Sequence, residues 1–103
     1  MAEFSKGDSG EWVRLSARVD GVVQAVGFRY WTVRQAGELG LTGTVRNNDD
    51  GSVGIVAEGP QSVVLQFRGW LRSPEAPGRV ENVEESISRA TGAFSNFRVV
   101  YRA

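Results

Sequence analysis

Between residues 13 and 19 apolar and polar side chains alternate. Val13, Leu15, Ala17 and Val19 interleave with Arg14, Ser16 and Arg18, the period of two that a half-buried strand requires. A loop marked by Gly21 and Gly27 follows, and then the period changes. Phe28, Thr32, Ala36 and Leu39 share one face of a helix that starts at Phe28 or Arg29, with Arg34, Gln35 and Glu38 among its polar positions. Gly40 supplies the C-terminal stop, because glycine tolerates the left-handed conformation there. Two strands come next, one around Val45 and one across Val53, Ile55 and Ala57. The segment Asn47-Asn48-Asp49-Asp50-Gly51 between them predicts a hairpin connection, since Asn and Asp-Gly sequences accept positive φ.

Gly59-Pro60 opens a second helix with proline in its first turn. Val63, Val64, Phe67, Trp70 and Leu71 form its apolar stripe, and the segment from Ser73 to Gly78 breaks it. Val83 and Ile87, then Phe97, Val99 and Tyr101, mark two further strands. The order β-α-β-β-α-β, with an extra strand near the end, predicts an α+β fold. Two helices pack on one face of a four- to five-stranded, mainly antiparallel sheet, as in the ferredoxin-like sandwich. Many unrelated functions use that arrangement, so the fold alone assigns none.

The chain has 103 residues, enough for one modest core. The reading places a flexible tail at residues 1–11 and one domain at residues 12–103. The tail is polar and lacks the apolar stretch of a signal peptide. The apolar runs elsewhere are too short to span a bilayer, so the expectation is a cytoplasmic protein with no membrane partner. Twelve basic residues balance twelve acidic ones, which gives no electrostatic reason to expect a nucleic-acid partner. Cysteine and histidine are both absent from the sequence. That excludes disulfides, a thiolate nucleophile, a serine–histidine triad and phosphohistidine chemistry.

Candidate chemistry concentrates between Gly21 and Arg29. A short, glycine-marked link from strand to helix carries backbone N–H groups that neither element fully uses. Such a link can wrap amides around an anion, with the helix N-terminus adding partial positive charge. The guanidinium fork of Arg29 would complete a phosphate cradle. A plain strand-to-helix connection with a surface arginine carries the same pattern, and the glycine and basic spacing does not by itself separate the two.

The segment Gly21-Val22-Val23-Gln24-Ala25-Val26-Gly27-Phe28-Arg29 resembles the acylphosphatase signature G-x-V-Q-G-V-G-F-R. Further blocks follow in the same order. Ala36 to Gly43 resembles A-x-x-L-G-L-x-G, Val45-Arg46-Asn47 resembles V-[RK]-N, and Asp50-Gly51-Ser52-Val53 resembles D-G-x-V. Gly59-Pro60 also falls where the family often has that pair. The resemblance runs from about residue 13 to residue 102, nearly the whole chain. It implies the ferredoxin-like sandwich and hydrolysis of acyl phosphates to a carboxylate and inorganic phosphate, with no cofactor, no metal and no covalent intermediate. It implies that Arg29 binds the phosphoryl group and that Asn47 positions the attacking water. The backbone amides of Val22, Val23, Gln24, Ala25, Val26, Gly27 and Phe28 would form the cradle.

Two positions depart from the family pattern. Ala25 replaces a glycine. If that position needs positive φ, alanine costs about 1 kcal/mol or more; at an ordinary φ it is harmless. Thr44 stands where a tryptophan is common, so some packing must be redistributed. Elsewhere, Tyr30 and Trp31 read mainly as packing residues that could flank an acyl group, and Asp49 and Asp50 as turn residues. Glu81, Glu84 and Glu85 read as a solvated or edge-protecting face. An RNA-recognition module has the same element order, but the aromatic strand run it needs is missing here. A catalytically weak or silent anion- or partner-binding domain is the alternative. The partner expected is a small-molecule acyl phosphate, met by a monomer.

Overall fold

The alternation near the N-terminus produces strand β1, Trp12–Val22. Leu15, Ala17 and Val19 turn inward and are buried, while Arg14, Ser16 and Arg18 face the other way. The computed structural model describes residues 11–24 and 27–101. Helix α1 spans Phe28–Glu38 and buries Phe28, Thr32 and Ala36, the face read from the sequence. Strands β2 (Thr42–Asn47) and β3 (Val53–Pro60) form the expected hairpin. Helix α2, Gln61–Leu71, buries Val64, Phe67 and Leu71. Strands β4 (Arg79–Arg89) and β5 (Phe97–Val99) follow.

The sheet order is β4-β1-β3-β2-β5. Strand β1 lies antiparallel between β3 and β4, and β2 pairs antiparallel with β3 and parallel with β5. Both helices cover one face. The core between the layers is built from Leu15, Val19, Phe28, Val45, Ile55, Phe67 and Leu71, with Phe97 closing it under β5. Each of these large side chains contributes about 1.5–3 kcal/mol by leaving water. The architecture is therefore the five-stranded, mainly antiparallel α+β sandwich expected.

Register is pinned where β1 leaves the sheet. Its pairing with β4 shifts between Asp20 and Gly21. Gly21 has φ +135°, and a Cβ there would lie 2.0 Å from the Arg79 carbonyl oxygen. Only glycine fits such an approach, at the bulge one residue before β1 ends at Val22.

Details differ from the sequence reading. Pro60 does not stand in the first turn of α2: its extended backbone (φ −58°, ψ 141°) ends β3 and caps the helix from outside. The first amide of α2, at Gln61, donates instead to the Glu11 carbonyl at 2.8 Å, which satisfies a group helices leave orphaned. Thr44 faces the sheet surface away from the helices, so the helix-covered core needs no repacking for the missing tryptophan. Glu85 is not solvated. It sits opposite Ala17 on the helix-covered face, only 13% exposed, ion-paired with Arg68 and, at 3.1 Å, with Arg72. Glu81 and Glu84 are exposed on edge strand β4 as expected. Residues 1–10 of the expected tail lie outside the described residues.

Candidate active site

Three segments converge at one end of the sandwich: the loop after β1, the end of β2 and the residues after β5. Val22 ends β1, Val23 is buried, and Gln24 is half-buried. Ala25 and Val26, both named for the cradle, lie outside the described residues. Gly27 is the N-cap of α1 at φ +75°, in the left-handed region glycine favours. No side chain caps the helix, and no acidic residue occupies its first turn. Its first amides therefore have neither a side-chain oxygen nor a neighbouring carboxylate competing for them. Phe28, fully buried, anchors that turn to the core beside Trp70.

Arg29 follows at once, half-buried, with its guanidinium 5.4 Å from the centre of the Tyr101 ring. This is cation–π distance, and it gives the charged head a flat backing. Asn47 was read as following β2; it is instead the last residue of that strand, opposite Val53. Its register places it on the helix-covered face, in line with Val45. The side-chain Oδ1 is buried and has no protein hydrogen-bond partner. A buried acceptor without a partner is uncommon enough to point to a bound group.

Arg29 and Asn47 line the same open cavity of about 370 Å³, together with Asn48, Asp49, Val100 and Tyr101. A second groove of about 440 Å³ adjoins it, lined by Gln24, Gly27, Arg29, Tyr30, Val33, Phe97, Arg98, Val99 and Tyr101. The two share Arg29 and Tyr101. The structure thus brings together the arginine and the asparagine named from sequence, and sets the described cradle residues Gln24 and Gly27 against the same arginine.

Side chains that sequence reasoning missed hold the arrangement in place. Gln24 was named for its backbone amide. Its side-chain Nε2 donates to the Asn48 carbonyl at 2.9 Å and to the Ser52 carbonyl at 2.8 Å, which ties the cradle loop to the β2–β3 hairpin. Within the hairpin, Asn48 Nδ2 donates to Ser52 Oγ at 2.9 Å. Ser52, through its amide at 3.0 Å and hydroxyl at 2.6 Å, donates to Asp50 Oδ1. The Ser52 hydroxyl, then its amide, hold the Asp50 carboxyl below its ordinary range. The Val100 amide donates to the Val45 carbonyl at 2.9 Å and carries Tyr101 to the cavity. No spacing rule in the sequence singles out Tyr101, which looked like one more residue of an alternating strand. Tyr30 and Trp31, 56% and 47% exposed, pack edge to face on each other at the surface and not in the core. Among the described residues no three of Asp and Glu cluster as a metal site, and no helix is long and apolar enough to cross a membrane.

Fold and site together define a small α+β sandwich with an arginine, the first amides of a helix and a neutral amide gathered at one end. Comparison with known proteins narrows the class. The acylphosphatase family model matches residues 15–99. The chain is 70% identical over 101 residues to the acylphosphatase of Arthrobacter sp. (strain FB24), covering 98% of this chain and 93% of that protein. It is 59% identical over 90 residues to the acylphosphatase of Paenarthrobacter aurescens (strain TC1), covering 87% and 96%. The crystal structure of acylphosphatase from Bacillus subtilis superimposes with a TM-score of 0.79 at 36% identity, covering 86% of this chain and 99% of that one. The chain belongs to the acylphosphatase family, whose members are hydrolases acting on acid anhydrides.

Proposed function

We propose that the chain hydrolyses small acyl phosphates at the Arg29–Asn47 cavity, splitting the carboxyl–phosphate anhydride into a carboxylate and inorganic phosphate. One observation carries the assignment of roles. Arg29, at the start of α1, and Asn47, at the end of β2, line a single cavity, and the Asn47 side-chain Oδ1 is buried without a protein partner. Arg29 and the amides of the loop bind the phosphoryl oxygens. Asn47 accepts a hydrogen bond from the attacking water and holds it without bringing a negative charge near the dianion.

Water adds to phosphorus as the bond from phosphorus to the carboxylate oxygen breaks, and the leaving carboxylate keeps that electron pair. It is a weak base and needs no proton. One proton of the water passes to a phosphoryl oxygen, so no side-chain base is needed. Catalysis rests on positioning and on stabilising charge on the phosphoryl oxygens.

The substrate expected is a small molecule, met by a monomer. The reading takes residues 12–103 as the catalytic domain and the cytoplasm as its setting. Turnover of benzoyl phosphate in the presence of a chelator tests the assignment, with Arg29→Gln and Asn47→Ala beside the wild type. Wild-type turnover, lost by a hundredfold or more in both folded variants, is expected. A folded Asn47→Ala protein with wild-type kcat would remove the asparagine from the mechanism.

A further inference from the structure

A cavity of about 490 Å³ opens on the sheet face that the helices leave uncovered. Neither Arg29 nor Asn47 borders it, and Asn48 is the one residue it shares with the phosphoryl cavity. We infer that it is a second binding site, separate from the catalytic one, for a small polyol that carries one phosphate group.

Gly54 gives the first reason. It lies inside β3, the central strand, with Arg18 of β1 opposite it on one side and Arg46 of β2 on the other. Its φ is outside the positive range that requires glycine. The nearest atoms a Cβ would meet belong to side chains, the Asn48 amide at 3.3 Å and the Arg46 Cγ at 3.5 Å. No backbone constraint therefore selects glycine here, although glycine weakens a strand interior. The missing side chain leaves a notch between two arginines, and a strand glycine of this kind marks a place where a ligand comes close.

Charge gives the second. Arg46 is exposed, and its side chain bonds no described residue. Arg18 is braced through Nη2 by Asp50 at 2.7 Å and Asp20 at 3.3 Å, which leaves its other N–H groups unbonded. Strand spacing sets the two arginine Cα atoms about 10 Å apart, so both guanidinia can meet one phosphate seated over Gly54. The acidic groups, Asp20, Asp50 and Glu84, gather on the Arg18 side, so the phosphate sits toward Arg46.

The neighbouring row supplies partners for hydroxyl groups. Two residues along the strands, Ser86, Ser16, Val56 and Thr44 follow one another across β4, β1, β3 and β2, and all line the cavity. The three hydroxyls bond no described side chain. Each can donate and accept, and Glu84, exposed opposite Arg18, accepts. A polyol satisfies such a set, with Val56 against its carbon chain. A bare phosphate ion would use the notch and leave this row empty.

Titration of ¹⁵N-labelled Arg29→Gln protein with glycerol 3-phosphate, inorganic phosphate and glycerol, followed by amide chemical shifts, tests the inference. Arg29→Gln removes the phosphoryl anchor, so the open face is read by itself. Saturable shifts at Ser16, Thr44 and Gly54 are expected with glycerol 3-phosphate. Adding Arg46→Gln or Gly54→Ala should weaken them about tenfold or more. Inorganic phosphate should bind at least about threefold more weakly, and glycerol should not saturate. With Arg29 intact, Arg46→Gln should turn over benzoyl phosphate within about twofold of wild type, since it touches no catalytic group. No saturable shift on the open face, or an affinity unchanged in Arg46→Gln, overturns the site. Inorganic phosphate that binds as tightly as glycerol 3-phosphate overturns the ligand class.

Discussion

Glu58 is a carboxylate with essentially no exposure, on the sheet face that the helices leave open. Its neighbour in register is Arg14 on β1, whose Nε donates to Oε2 at 2.7 Å. The segment after β4 folds over the pair. The Thr91 amide (3.0 Å) and hydroxyl (2.9 Å) donate to Oε2, and the Gly92 amide donates to Oε1 at 3.0 Å. Phe94 completes the cover, its ring centre 5.4 Å from the Arg14 guanidinium carbon. Burial alone would raise the Glu58 pKa. The bonds from the Thr91 amide, Arg14, the Gly92 amide and the Thr91 hydroxyl outweigh it and hold the pKa at about 2, against an ordinary 4.5.

Because the folded value lies below the unfolded one, the contribution is fully present above pH 4.5. It is lost as pH falls toward 2. The full difference is worth about 3 kcal/mol, of which about 2 kcal/mol is gone by pH 3. Glu58→Gln removes the charge and turns an NH₂ group toward donors. A loss of about 3 kcal/mol at pH 7 is expected, on the order of 15 °C in Tm for a chain this size. Urea unfolding followed by tryptophan fluorescence at pH 7, 5, 4 and 3 measures both effects. Wild type should lose about 2 kcal/mol more than Glu58→Gln between pH 7 and pH 3. Equal losses in the two proteins would show that the buried carboxylate is not the acid-sensitive element, and the reasoning from its four hydrogen bonds would fail.

Two further substitutions test the frame of the site. Gln24→Ala removes both bonds between the cradle loop and the hairpin, so Asn47 and Arg29 lose their fixed spacing. kcat on benzoyl phosphate should fall about tenfold or more, with thermal stability reduced by only about 1–2 kcal/mol; an unchanged kcat would reduce the bridge to packing. Gly21→Ala forces a Cβ against the Arg79 carbonyl at positive φ and should destabilise the fold by about 3 kcal/mol or more, read as a lower urea midpoint. A midpoint matching wild type would mean that β1 can leave the sheet by another path.

Elements with a strong period were legible without the structure. Alternation from Val13 to Val19 and the stripe from Val63 to Leu71 report directly on which side chains meet the core. The arginine and the asparagine were legible through resemblance, because a residue type in a fixed motif reports on chemistry. Contacts between distant segments were not. Gln24 reaches the hairpin through its side chain, and nothing local in a Val-Gln-Ala sequence encodes the partner. Glu85 looked solvated because a charge on a strand usually is; its burial is matched by Arg68 on α2 and by Arg72 just past the end of that helix. Glu58 was passed over for a related reason: its partners Thr91 and Gly92 stand more than thirty residues away. Tyr101 lies beyond the three hydrogen-bonded residues of β5, where pattern carries no information about what a ring will face.

The parallel pairing of β5 with β2 also sets an order of events during synthesis. Arg29 and Asn47 emerge from the ribosome early, and the β2–β3 hairpin and α1 can form around them at once. Val100 and Tyr101, which line the same cavity, are translated long afterwards and reach it only by pairing β5 with a strand made some fifty residues before. A nascent chain thus carries its arginine unbacked and its cavity open on one side until the last strand docks. Docking of β5, more than formation of the hairpin, is what completes the cavity.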